Sequence, residues 1–187
     1  LTLALIEHKM EEHRIKGIKS NVIKAGSKVK LGCFTITFLK VSHSIADAYA
    51  LAIETPVGTI LHTGDFKVDY TPLDGEMMDL AAFANLGRKG VQLLMSESTN
   101  SERPGYTMSE QRVAKSFDDL FAQATGRIFV ATFASNVSRI QQIIKIAESR
   151  GRKVYVAGRS LQRITEIATE IGYLKIRKGT LLDDRQL

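Results

Sequence analysis

Apolar and polar residues alternate through Phe34-Thr-Ile-Thr-Phe-Leu39, the period of a half-buried strand, and short apolar runs recur on either side of it. Strands are expected at 28–31, 34–40, 49–54 and 59–62, with Thr55-Pro56 a turn signal that makes a hairpin of the last two. A helix opens the chain and another is expected at 78–89. The strand 91–96 follows, its Val91-Gln-Leu-Leu-Met95 apolar enough to be covered on both faces. From about Gly105 helix and strand alternate. Thr107-Met-Ser-Glu110 is a capping signal for a helix at 111–123, and Gly126 precedes a strand at 127–131. Ser135-Asn136 caps a helix running through Ser149 to a stop at Gly151. A strand at 153–157 leads through Gly158-Arg-Ser160 into a third helix ending near Gly172. Strand, tight turn and helix in repetition predict a parallel sheet whose loops, at the carboxyl ends of the strands, face a ligand.

Composition narrows the class. At 187 residues and 44% hydrophobic, the chain has material for an ordinary globular core in one generous domain or two partial ones. No run approaches the roughly eighteen continuous apolar residues of a membrane span, and Leu-Thr-Leu-Ala-Leu-Ile6 lacks the basic leader of a signal peptide. A single cysteine, Cys33, forms no internal disulfide. It reads as a small core residue of an alternating strand, and a cytoplasmic location is expected. The 26 basic against 20 acidic residues favour a polyanionic partner, with basic residues gathered between Lys9 and Lys30, between Arg150 and Arg163, and at Arg177-Lys178.

The chemistry gathers in two loops. Val41-Ser-His-Ser-Ile-Ala-Asp47 and Leu61-His-Thr-Gly-Asp-Phe-Lys67 place His43 and Asp65 at the ends of apolar strands that the hairpin brings together, a geometry that suits two ligands of one metal. Turn or cap roles account for the same residue types. His8 and His13 read as a solvated helix face, and His62 as a residue that packs or hydrogen-bonds beside Thr63-Gly64-Asp65.

These strings resemble the signature motifs of the metallo-β-lactamase superfamily, in its nucleic-acid-processing β-CASP branch, with Leu94-Met-Ser-Glu-Ser-Thr-Asn-Ser-Glu-Arg-Pro-Gly105 similar to the first β-CASP motif. Together with Ala131-Thr-Phe-Ala-Ser-Asn136 and Val156-Ala-Gly-Arg-Ser160, the pattern is similar to the bacterial ribonuclease J family from about Leu1 to about Tyr173. The resemblance implies an α/β chain: the second half of an αββα metallo-β-lactamase sandwich at 1–105, then part of a parallel-sheet β-CASP domain at 106–187. The family's upstream His-x-His-x-Asp-His motif does not occur in the chain, so an internal fragment, inactive alone, is expected.

The resemblance also implies roles. The reaction is phosphodiester hydrolysis by metal-activated water at two divalent ions roughly 3.5–4 Å apart, zinc fitting the ligand mixture and manganese being compatible with it. Asp65 would bridge the ions, His43 would ligate one through a neutral imidazole nitrogen, and Glu97 would orient a catalytic histidine outside these residues. At the helix starts, Ser135, Asn136 and Arg159 are candidates for RNA phosphates and Phe133 for base stacking, with plain capping as the other account of Ser135 and Asn136. RNA is the expected partner and a homodimer or tetramer the expected assembly of the full-length protein. Two other classes fit: a small-molecule metallo-hydrolase of the same superfamily, which would lack the insertion after Gly105, and a catalytically dead RNA-binding paralogue.

Overall fold

A computed structural model describes residues 1–72 and 76–186. The chain divides into two compact units. One comprises Leu1–Lys19, Ser44–Ala46 and Glu110–Leu187; the other comprises Ser20–His43 and Asp47–Ser109.

The second unit is built on a sheet of β1 (Lys28–Leu31), β2 (Phe34–Lys40), β3 (Tyr49–Thr55), β4 (Gly58–His62) and β5 (Leu93–Met95), in that spatial order. The first four are antiparallel neighbours, and β5 runs parallel to β4 with Ile60 opposite Leu93. The expected hairpin forms. Thr55 stands opposite Gly58, its hydroxyl donating to the Gly58 carbonyl at 2.7 Å and accepting from the Val57 N–H at 3.2 Å. Gly58 has φ +143°, and a Cβ there would meet the Cβ of Gln92 at 2.9 Å, so only glycine lets β4 and the approach to β5 come this close.

Period-two alternation gives the sheet two faces. Leu39, Ala50, Ala52 and Leu61 share one face, which packs on Ala82, Phe83 and Leu86 of α2 (Leu80–Lys89). Asp79 starts that helix by accepting the Ala82 N–H at 2.9 Å. On the other face Val29, Ile36, Phe38, Leu51, Ile53 and Ile60 form an apolar field that is only half-buried. The expected two-sided burial of β5 is corrected: Leu93, Leu94 and Met95 are all exposed, because β5 is the edge strand and adds no residue to the core packed with α2. Cys33 is corrected too. It sits exposed in the turn between β1 and β2, where alternation no longer decides burial.

In the first unit, α1 (Thr2–Glu12), α3 (Glu110–Gln123), α4 (Val137–Ser149) and α5 (Arg159–Glu170) are followed by a short 3-10 turn, Asp184–Gln186. Val137, Ile140, Ile144, Ala168 and Leu174 form its core, with Leu1, Leu161, Ile164 and Ile176 packed against them. Both carboxylate oxygens of Glu110 accept from one nitrogen of Arg139, at 2.8 and 2.9 Å, and this pair ties α3 to α4. Among the described residues the expected parallel sheet is reduced to one bridge, Val154 beside Leu181. Among the described residues 127–131 pairs with no strand, and Phe129 stands 90% exposed. A strand exists only through a neighbouring ladder. Here Arg152 instead holds the chain after α3, donating to the carbonyls of Ala124 and, at 2.9 Å, Gly126. No helix among the described residues is long and apolar enough to cross a membrane.

One carboxylate locks the end of this unit. The side chain of Glu148 is 8% exposed, and it accepts the Arg177 N–H at 2.7 Å and the Thr180 hydroxyl at 2.9 Å. The Arg177 amide and the Thr180 hydroxyl, with the Arg177 charge, hold its pKa below the usual carboxylate range against the opposing effect of burial. A lowered native value means that the stabilisation is present above the unfolded carboxylate's pKa and is lost as pH falls through the native one. Thermal unfolding of Glu148→Gln and the parent chain, compared from neutral to acid pH, should therefore show a deficit for the variant that is largest near neutrality and vanishes in acid. A deficit that grows on acidification contradicts this reading.

Candidate metal centre and nucleic-acid loops

Strand direction sets the site. β2 ends at Lys40, opposite the start of β3 at Tyr49, while β4 and β5 end side by side at His62 and Met95. The segments carrying His43, Asp65 and Glu97 consequently leave the sheet at the same end. They are tied together by backbone: the Lys67 N–H donates to the Ser42 carbonyl at 2.7 Å, joining the His43 loop to the Asp65 loop, and the Thr63 N–H donates to the Met95 carbonyl at 3.0 Å. The result is an approach of 3.9 Å between His43 Nε2 and Asp65 Oδ2, with side chains 30% and 72% exposed.

Gly64 makes the turn between Thr63 and Asp65 at φ +58°, where a Cβ would press to 3.2 Å from the Tyr49 carbonyl. His62 supports the turn by accepting the Gly64 N–H on Nδ1 at 3.1 Å, the local role expected of it. Thr63 is the residue the sequence did not reveal. Its buried hydroxyl accepts the Glu97 N–H at 3.2 Å and donates to the Gly64 carbonyl at 2.7 Å, so it fixes Glu97 to the Asp65 turn. A threonine ahead of Gly-Asp was the available signal, but its partner lies 34 residues away. The Glu97 carboxylate itself accepts the Thr99 N–H at 2.7 Å, closing its own turn.

His43 and Asp65 are two oxygen or nitrogen donors of the kind that zinc and manganese take, half of a tetrahedral set. Among the described residues no cluster of three or more histidine, cysteine or acidic residues could hold an ion. The pair fits a divalent metal as part of a larger ligand set.

The four candidate RNA contacts lie in the other unit. Asn136 is buried and its Oδ1 accepts the Arg139 N–H at 3.1 Å, the capping role, and its own N–H donates to the Phe133 carbonyl at 3.1 Å. That turn holds Phe133 out, 83% exposed, and Ser135 half-buried before α4. Gly158, at φ +99°, precedes α5 with no side-chain cap, leaving Arg159 exposed as its first residue and Ser160 inside the helix.

This architecture matches known proteins at two levels. A family model described as "Ribonuclease J, beta-CASP domain" matches residues 125–187. The chain as a whole is similar to Ribonuclease J of Thermus thermophilus (46% identical over 95% of this chain and 31% of that protein), of Helicobacter pylori strain J99 (44%, 100% and 27%) and of Synechocystis (45%, 94% and 28%). These matches agree with the resemblance to ribonuclease J carried by the motifs, and the chain spans about three tenths of the length of these relatives. A crystal structure of a protein of unknown function from Enterococcus faecalis shares the fold, with a TM-score of 0.62 at 21% identity over 88% of this chain and 38% of that one.

Replacing Thr63 by valine keeps the shape but strands the Glu97 N–H, which should cost about 1–3 kcal/mol in urea denaturation. Serine should recover most of it. Equal stability of the valine variant would remove Thr63 from this role.

Proposed function

We propose that the chain is part of a metal-dependent ribonuclease of ribonuclease J type, which hydrolyses RNA from the five-prime end and internally during RNA processing and decay. The observation that carries this reading is the pairing of His43 with Asp65 at 3.9 Å on two backbone-joined loops. Support for the fold of the complete enzyme comes from the sheet. With α2 on one face and a half-buried apolar field on the other, it supports reading 1–105 as half of an αββα sandwich, and the family match at 125–187 supports a β-CASP domain at 106–187. The β-CASP match also disfavours a small-molecule hydrolase.

His43 would ligate one of two divalent ions, zinc or manganese, and Asp65 has a second oxygen with which to bridge them. When bound, such ions activate water and stabilise charge developing on phosphorus. Glu97, held by Thr63, would orient a histidine supplied from elsewhere in the enzyme. Arg159, Ser135 and Phe133 would hold RNA phosphates and a base, with Asn136 fixing the turn that presents two of them. A cytoplasmic location and a homodimeric or tetrameric assembly complete the reading.

In the full-length enzyme, Asp65→Ala should abolish RNA hydrolysis and lower the metal content, while Glu97→Gln should cost roughly 10–100-fold in activity. The present 187 residues should not cleave RNA with zinc or manganese. Cleavage by this chain that Asp65→Ala removes, or full activity of the substituted enzyme, refutes the assignment. A full-length protein that binds RNA without metal or turnover would instead be a catalytically dead paralogue.

A further inference from the structure

A second feature of the helical unit concerns the segment after α5. Residues 174–180 lie along α4, held at two points. Gln141 accepts the Lys175 N–H at 2.6 Å and donates to the Lys175 carbonyl at 3.0 Å, and seven residues on, about 10 Å along the helix, Glu148 takes the Arg177 N–H and the Thr180 hydroxyl. Leu174 and Ile176 turn into the core. Alternation then turns Lys175 and Arg177 outward, with Lys178 beside them, all exposed.

The helix adds to the same strip. Lys145 stands between Gln141 and Glu148 on one face of α4, four and three residues from them, and is exposed. Lys153 reaches the Gly179 carbonyl from the other side and is exposed as well. Among the described residues, Lys145, Lys175 and Lys178 form no ion pair. The carboxylate in contact with the strip is Glu148, which is already occupied by the Arg177 amide, the Thr180 hydroxyl and the Arg177 guanidinium.

Cations placed merely for hydration need no fixed backbone. Here the strap is bound on both sides of Lys145 by side chains that satisfy its amides, which holds several unpaired positive charges in a row at little further cost in order. We propose that this strip binds the phosphate backbone of single-stranded RNA, as a contact separate from the turns at 133–136 and 158–160. The proposal rests on the ribonuclease reading for its choice of polyanion.

The test uses the 187-residue chain and its Lys145→Gln/Lys175→Gln/Lys178→Gln variant, with fluorescein-labelled oligouridylate followed by anisotropy between about 50 and 200 mM salt. Each phosphate released should reduce the slope of log K against log salt by about 0.7, so the triple variant should lose about 2 from the slope. Affinity at the low-salt end should fall tenfold or more, with the thermal unfolding midpoint unchanged. An unchanged slope overturns the proposal, as does a wild-type chain that does not bind. If the variant keeps RNA binding but loses poly-glutamate, the strip serves an acidic polypeptide and the RNA assignment falls. Cleavage by the full-length enzyme reads the metal centre and the salt slope reads the strip, so either can fail alone.

Discussion

The direction in which four strands run decides where this protein can do chemistry. An antiparallel pair, β2 and β3, returns the chain to the end of the sheet it has just left; the hairpin into β4 and the parallel entry of β5 bring two more segments out at that end. Three loops distant in sequence then compete for one small region, and the polar groups they bury must be satisfied by one another. The Lys67 to Ser42 and Thr63 to Met95 bonds and the Thr63 hydroxyl on the Glu97 amide meet that demand. His43 and Asp65 thus face each other as a consequence of backbone hydrogen bonding rather than of any strong attraction between exposed side chains.

Much of the sheet was legible because its information is local. Alternation in 34–39 and the Thr55-Pro56 turn fixed β2 and the β3–β4 hairpin, and with them which residues share a face. The helices were legible for the same reason, Asn136 and Gly158 marking their starts. What failed depended on distant partners. The apolar runs at 127–131 and 153–157 have the composition of strands, yet a strand needs a neighbour, and among the described residues one bridge to Leu181 is all that forms. Composition likewise overstated the burial of β5, an edge strand, and of Cys33, which falls in a turn.

The candidate site divides along the same line. His43 and Asp65 could be picked out because their residue types and strand-end positions are visible in the chain, and Glu97 because of the motif around it. Thr63 could not, since its hydroxyl acquires a role only when Glu97 arrives from 34 residues away. Asn136 proves to be a buried cap whose N–H also holds the Phe133 carbonyl, so one turn sets the position of the exposed ring. On the proposed reading, these two donors would hold part of a metal's ligand set, since among the described residues no larger cluster of histidine, cysteine or acidic residues could hold an ion.

The most direct measurement of that claim is paramagnetic broadening of the four histidine side chains by manganese, followed by NMR on this chain. The account predicts that the imidazole of His43 broadens at the lowest manganese concentration, ahead of His8 and His13, and that Asp65→Asn removes this preference. Equal broadening of all four rings, or a preference for His43 that survives the loss of the Asp65 charge, would contradict it.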